Sequence, residues 1–91
     1  DLDGTLCTHE DDYNKAVAFA ERIKQVNELC YAGHIIKIDS ARGSTTGIDW
    51  TELTQRQLKE WKVKFHELRV GVKFNADYFI DDKGINAIDF F

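Results

Sequence analysis

Two carboxylates stand two residues apart in Asp1-Leu2-Asp3, and Gly4 and Thr5 follow them. Carboxylates at that spacing can share one site when the backbone leaves a strand in a turn, and glycine permits such a turn. Hard divalent cations such as Mg²⁺ take oxygen ligands and keep several waters, so one carboxylate and one backbone carbonyl suffice to seat one. An activated aspartate can attack phosphorus. A second can trade protons with a leaving group and with attacking water. A calcium loop of the EF-hand type begins similarly, but the pattern fails at Thr5, at Leu6 where glycine is required, and at Asp12 where a bidentate Glu belongs.

Three further clusters follow in order. In Ser40-Ala41-Arg42-Gly43, a hydroxyl beside small residues and open backbone N–H groups can hold phosphate oxygens. Arg42 can add a two-pronged contact to a phosphate or carboxylate. Lys73, after Gly71-Val72, can neutralise charge on a transferring phosphoryl group. Asp81-Asp82 are adjacent acids that repel unless a cation or hydrogen-bond donors offset them.

The elements that must position these groups are also visible. Residues 13–31 carry apolar Ala16, Val17, Ala20, Ile23, Val26 and Leu29 at three- and four-residue steps, which predicts an amphipathic helix stopped by Gly33. Ile35 to Ile38 reads as a strand ending at the Ser40 cluster. Asp49 to Glu60 reads as a second helix, capped by Thr51 or Asp49, with Leu53, Leu58 and Trp61 as its inner stripe. Val63–Val70 and Tyr78–Ile80 read as further strands. Helices alternating with short apolar strands predict an α/β fold, a parallel sheet covered by helices, whose chemistry gathers beyond the C-terminal strand ends. Lys37 and Asp39 sit awkwardly in a central strand. Lys37 is expected to snorkel out of the sheet or to pair with Asp39.

Asp-x-Asp-Gly-Thr, strand-Ser, Lys and strand-Asp-Asp, in that order across the whole chain, resemble the four-motif signature of the haloacid dehalogenase (HAD) superfamily. The resemblance implies a Rossmann-like hydrolase fold and Mg²⁺-dependent phosphoryl transfer through an aspartyl phosphate. In that pattern Asp1 is the nucleophile and Asp3 the general acid/base, while Ser40 and Lys73 hold the phosphoryl group. Gly4, Thr5, Ala41 and Arg42 lie against the substrate. The metal site is Asp1, the carbonyl of Asp3, Asp81 and Asp82. The Ser-Ala-Arg-Gly loop, the helix end at Trp61 and Asp-Asp-Lys-Gly-Ile-Asn are similar to the small phosphatases of capsule and surface-polysaccharide biosynthesis. Two parts of the family's pattern are missing, a strand before Asp1 and a helix after Phe91, so residues 1–91 are expected to be one HAD-like domain lacking both. The lysine motif, often Gly-Lys-Pro, reads Gly71-Val72-Lys73-Phe74.

Spacing leaves no room for a cap domain of about 50 residues or more between the clusters. The site is therefore expected to be open, accepting a large phosphorylated substrate or borrowing a lid from a second copy of the chain. His9 to Tyr13 form a short polar segment at its entrance, read as solvated loop. With 91 residues one modest core is feasible and two are not. The net charge of −4 argues against nucleic acid and anionic membranes as partners, and no apolar run reaches membrane-spanning length. Cys7 and Cys30, without metal-ligand spacing, read as free thiols in a reducing, cytoplasmic setting. The expected activity is hydrolysis of a phosphomonoester, with a phosphorylated small molecule such as a sugar phosphate as substrate. Two alternatives stand beside it. One is a nucleotide or nucleic-acid-end phosphatase. The other is a non-catalytic module that binds Mg²⁺ and phosphate, or a partner.

Overall fold

The computed structural model describes residues 1–71 and the backbone of residues 80–81 and 85–86. The chain has an α/β architecture. A tight turn at residues 1–7 leads to a 3₁₀ turn, Tyr13–Lys15, and then to helix α1, Ala20–Tyr31. Strand β1, Lys37–Ser40, helix α2, Thr51–Glu60, and strand β2, Glu67–Val70, follow. β1 and β2 pair in parallel, from Lys37 opposite Glu67 to Ser40 opposite Val70. They form a strand-helix-strand unit with α2 as the crossover. Two short strands, β3 (Ile80–Asp81) and β4 (Ile85–Asn86), pair in parallel as a separate ladder.

The helix predicted over residues 13–31 starts later. Val17 to Phe19 are drawn into extended pairing with the segment after the first turn. Thr8 N–H donates to the Val17 carbonyl at 2.8 Å, Phe19 N–H donates to the Leu6 carbonyl at 2.8 Å, and Val17 N–H donates to Thr8 Oγ1 at 2.9 Å. A β-branched and an aromatic residue suit that conformation better than a helix. From Ala20 the expected periodicity holds, and Ile23 and Val26 are buried. β1 and β2 also begin two and four residues later than their apolar runs, while β2 ends at Val70 as expected. β1 runs to Ser40 rather than stopping at Ile38, and β2 begins only at Glu67. Lys37 is exposed, and its ammonium lies 3.9 Å from Glu67, its neighbour across the ladder.

Both helices end alike. After α1, His34 N–H donates to the Leu29 carbonyl and Gly33 N–H to that of Cys30, with Gly33 at φ +101°. After α2, Val63 N–H donates to the Leu58 carbonyl and Lys62 N–H to that of Lys59. Each is a Schellman ending, which requires a left-handed residue. In the second that residue is Lys62, at φ 57°. Asn27 on α1 fastens this corner, donating to the Lys62 carbonyl at 2.9 Å and accepting from Lys64 N–H at 2.7 Å.

The core is one cluster of Leu2, Leu6, Cys7, Ile23, Val26, Ile38, Leu58 and Val63, with Trp61, Phe65 and Leu68 packed against it. Leu2 and Leu6 root the first turn in this core, so the two carboxylates beside Leu2 stand on a fixed base. A left-handed lysine costs about 1 kcal/mol that glycine avoids. Lys62→Gly is expected to raise the urea midpoint, stabilising the chain by roughly that amount less the entropy glycine adds to the unfolded state.

Candidate functional site

The Asp1–Thr5 segment forms a closed turn. The Leu2 carbonyl accepts the N–H groups of Thr5, Leu6 and Cys7 at 3.1, 2.9 and 3.3 Å, and Gly4 N–H donates to the Cys7 carbonyl at 2.8 Å. Gly4 takes φ +82°, the conformation for which a glycine was expected there. Thr5 is buried, and its hydroxyl donates to Asp1 Oδ2 at 3.2 Å. Arg22 on α1 donates to the carbonyls of Thr5 and Gly4 at 3.2 and 3.4 Å, tying the turn to that helix.

Ser40 is the last residue of β1 rather than the first of a loop. It is buried, and its Oγ accepts Arg42 N–H at 3.2 Å. A hydroxyl that accepts one bond keeps its own proton to donate. The Ser40 carbonyl accepts Gly71 N–H at 2.5 Å, so the end of β2 lies against the end of β1. Ala41 is exposed. Lys73, Asp82 and the side chain of Asp81 lie outside the described residues.

Arg42 differs most from its expected place. It was read as open to substrate, yet it is 2% exposed and turned inward. Its Nε donates to Asp3 Oδ2 at 2.9 Å and its Nη2 to Asp3 Oδ1 at 2.8 Å, a two-pronged ion pair across 39 residues of chain. Nη1 donates to Gln57 Oε1 at 2.6 Å and Thr54 Oγ1 at 3.2 Å. Nη2 also lies 3.9 Å from Cys7 Sγ. A guanidinium has five N–H donors, and these acceptors match all five. The Tyr13 ring covers one face, 4.7 Å from the guanidinium carbon. Arg42 in this state holds Asp3 and has no donor left over for a ligand.

Tyr13, Cys7, Thr54 and Gln57 were not foreseen as parts of the site. Tyr13 belonged to the segment read as solvated loop. Instead its ring meets Trp50 edge-on at 5.0 Å and its carbonyl accepts Gln57 Nε2 at 2.7 Å. Thr54, Gln57 and Leu58 are the buried residues of α2, whereas the apolar stripe had named Leu53, Leu58 and Trp61. The only sequence signal for Thr54 and Gln57 is that they share a helix face with Leu58 at three- and four-residue steps.

A cavity of about 350 Å³ opens beside Arg42, between the 43–49 loop, Trp50 and the strand end at Val70–Gly71. Asp49 stands on its rim. Thr51 N–H donates to Asp49 Oδ1 at 2.9 Å, and this bond holds the Asp49 carboxyl below its ordinary range. Among the described residues no group of three or more His, Cys, Asp or Glu side chains comes together. The hard oxygen donors of the first turn, the Asp1 carboxylate and the Asp3 carbonyl, are nevertheless of the kind Mg²⁺ takes. Among the described residues no helix is long and apolar enough to cross a membrane.

No protein-family model and no curated protein matches the chain. Among solved structures it is similar to the crystal structure of a Vibrio cholerae target protein, at 26% sequence identity and a TM-score of 0.75. The match covers 98% of this chain and 81% of that one.

Cys7 is fully buried with its Sγ 3.5 Å from Asp3 Oδ1, and burial together with the Asp3 charge pushes its thiol up to about 12. Thiolate is the reactive form. At pH 8 a disulfide reagent is therefore expected to label Cys30 at once and Cys7 only on unfolding, read by mass spectrometry. The folded chain also keeps the Cys7 proton where the unfolded chain releases it. This contribution is complete below about pH 9 and is lost as pH rises towards 12, by at most about 1.4 kcal/mol per unit.

Proposed function

We propose that the chain is a Mg²⁺-dependent phosphomonoester hydrolase of the HAD type, with a Rossmann-like arrangement of its α/β elements. One observation carries the reading. Arg42 enters from the C-terminal end of β1 and grips Asp3 through both carboxylate oxygens, so the first turn and the Ser40 cluster form one site although 39 residues separate the pair. Independent surface loops have no reason to be joined by a buried, fully bonded ion pair. The site lies where parallel strands end, the usual place for chemistry in such sheets.

In the proposed reaction an Asp1 carboxylate oxygen attacks the phosphorus in line, and the bond from phosphorus to the leaving oxygen breaks. Asp3 must enter this step carrying a proton, which it gives to that oxygen, and the alcohol departs. Water then attacks the aspartyl phosphate while Asp3 takes its proton back, which frees inorganic phosphate and restores Asp1. Ser40, whose side chain is buried at the end of β1, is assigned the holding of a phosphoryl oxygen on the family pattern alone. Lys73 is assigned the same charge-neutralising role on the family pattern. Asp1, the Asp3 carbonyl and the Asp81-Asp82 pair would hold Mg²⁺, which offsets charge on the phosphoryl oxygens when bound.

Arg42 acts in this scheme as a positioning residue. It fixes the plane of the Asp3 carboxylate, and misplacing a proton-transfer group by about 1 Å can cost on the order of a hundredfold in rate.

Hydrolysis of an aryl phosphate is expected with Mg²⁺, absent with EDTA, and absent in Asp1→Asn. Asp1→Asn retaining full Mg²⁺-dependent turnover would overturn the proposal. Binding of Mg²⁺ and phosphate without turnover in the unaltered chain would favour a non-catalytic module. Arg42→Lys keeps the charge and loses the fork. It is expected to lower kcat about a hundredfold with KM changed much less, in steady-state kinetics on the same substrate.

A further inference from the structure

Resting on the phosphatase reading, we propose that Gln57, with Tyr13 behind it, is a positioning residue for the reaction. It acts through Arg42. It keeps the guanidinium fork on Asp3 and leaves the Arg42 charge to that one carboxylate.

The fork meets Asp3 along one edge only, through Nε and Nη2. A guanidinium held by one carboxylate can still rock with it on a long, rotatable stem. Gln57 takes the opposite side. Its Oε1 accepts Nη1 at 2.6 Å, beside Thr54 Oγ1 at 3.2 Å. Its Nε2 donates to the Tyr13 carbonyl at 2.7 Å. Tyr13 returns to Arg42 by covering it, with the guanidinium carbon 4.7 Å from the ring centre. The contacts close a circuit of three residues, from α2, the 3₁₀ turn and the loop after β1. Gln57 is buried, so water does not compete for its bonds.

Tyr13 is itself held. The Asp12 carboxylate caps the 3₁₀ turn by accepting Asn14 N–H at 3.0 Å. The Tyr13 ring meets Trp50 edge-on at 5.0 Å. On either side of the turn, Thr8 N–H donates to the Val17 carbonyl and Val17 N–H to Thr8 Oγ1. The Tyr13 carbonyl is thus a fixed anchor for the Gln57 amide.

The place between Arg42 and Tyr13 requires an amide. The group there must accept from a cation on one side and donate to a carbonyl on the other, and one planar amide head does both. An ionised carboxylate of the same shape accepts but cannot donate, so it would set an oxygen against the Tyr13 carbonyl oxygen. It would also offer Arg42 a second anion and draw the fork away from Asp3. The neutral acceptor avoids that competition, and among the described residues Asp3 is the carboxylate paired with Arg42.

Steady-state kinetics on an aryl phosphate with Mg²⁺ test this in the unaltered chain, Gln57→Met, Gln57→Glu and Arg42→Lys. Methionine keeps the volume and loses both bonds, and glutamate keeps the shape and loses the donor. Each Gln57 variant is expected to lower kcat about tenfold, with KM moved less than about threefold. Added to Arg42→Lys, Gln57→Met is expected to cost less than about twofold more, because the fork it supports is already gone. Asn27→Ala is the structural control. It loosens the corner after α2, where Asn27 touches none of the Arg42 contacts, so the urea midpoint is expected to fall while kcat per folded molecule holds. A lower midpoint with unchanged kcat in both Gln57 variants would show a purely structural role and overturns the proposal. A further loss of about tenfold on top of Arg42→Lys also overturns it, because Gln57 would then act by a route that bypasses Arg42. No turnover of any ester by the unaltered chain removes the phosphatase reading and the positioning role with it. A second arm reads the position of Arg42 without turnover. Its Nε–H signal in the ¹⁵N-labelled chain, identified by its absence in Arg42→Lys, is expected to exchange with solvent at least about tenfold faster in both Gln57 variants. Unchanged exchange overturns the proposal.

Discussion

A guanidinium taken out of water must find acceptors for all of its N–H groups, because a buried charge with open donors costs several kcal/mol. Arg42 meets that constraint by drawing four parts of the chain to one point. Asp3 comes from the first turn, Cys7 from its end, Thr54 and Gln57 from α2, and the Tyr13 ring from the segment between the turn and α1. Arg42 itself leaves from the end of β1. A buried ion pair is weak evidence for net stability, because desolvation offsets much of the attraction. Its effect here is on arrangement. Packings that move the turn, the 3₁₀ segment or α2 away from β1 leave donors unmet, and each unmet donor is disfavoured.

The same constraint explains what the sequence showed and what it hid. The turn at Gly4 that carries Asp1 and Asp3 was legible because its φ of +82° is a local property of glycine. The inner face of α1 was legible at Ile23 and Val26, where burial follows apolar periodicity. The inner face of α2 was legible only at Leu58. Thr54 and Gln57 are buried there because a cation faces them, and periodicity of apolar residues carries no record of a buried cation. Arg42 was read as facing substrate for a related reason. An arginine in a glycine-flanked loop looks exposed until its acceptors, 12 to 39 residues away, are known.

Strand placement failed on a different ground. Ile35 and Ile36 look like strand residues, yet Ile35 is exposed and β1 runs from Lys37 to Ser40. The parallel ladder to β2 decides the register, with Lys37 opposite Glu67 and Asp39 opposite Arg69. Opposite charges across a ladder favour that pairing, and no window of one strand alone contains both partners. Lys37, out of place by apolar pattern, is in place by its ion pair with Glu67 across the ladder.

The lone pairs of Asp3 connect the architecture to the proposed chemistry. Oδ1 faces both Arg42 Nη2 and the Cys7 thiol, at 2.8 and 3.5 Å, whereas Oδ2 takes Arg42 Nε at 2.9 Å. Each carboxylate oxygen can accept at two positions. Among the described residues Oδ1 thus has two polar neighbours and Oδ2 has one. Cys7 matters here because burial keeps its sulfur protonated, so its one proton can go to Oδ1 or to the Leu2 carbonyl 3.7 Å away and the sulfur does not repel the carboxylate. The buried pair that ties the first turn to β1 and α2 thus also sets the environment of each oxygen of Asp3, and a change that disturbed the first would disturb the second.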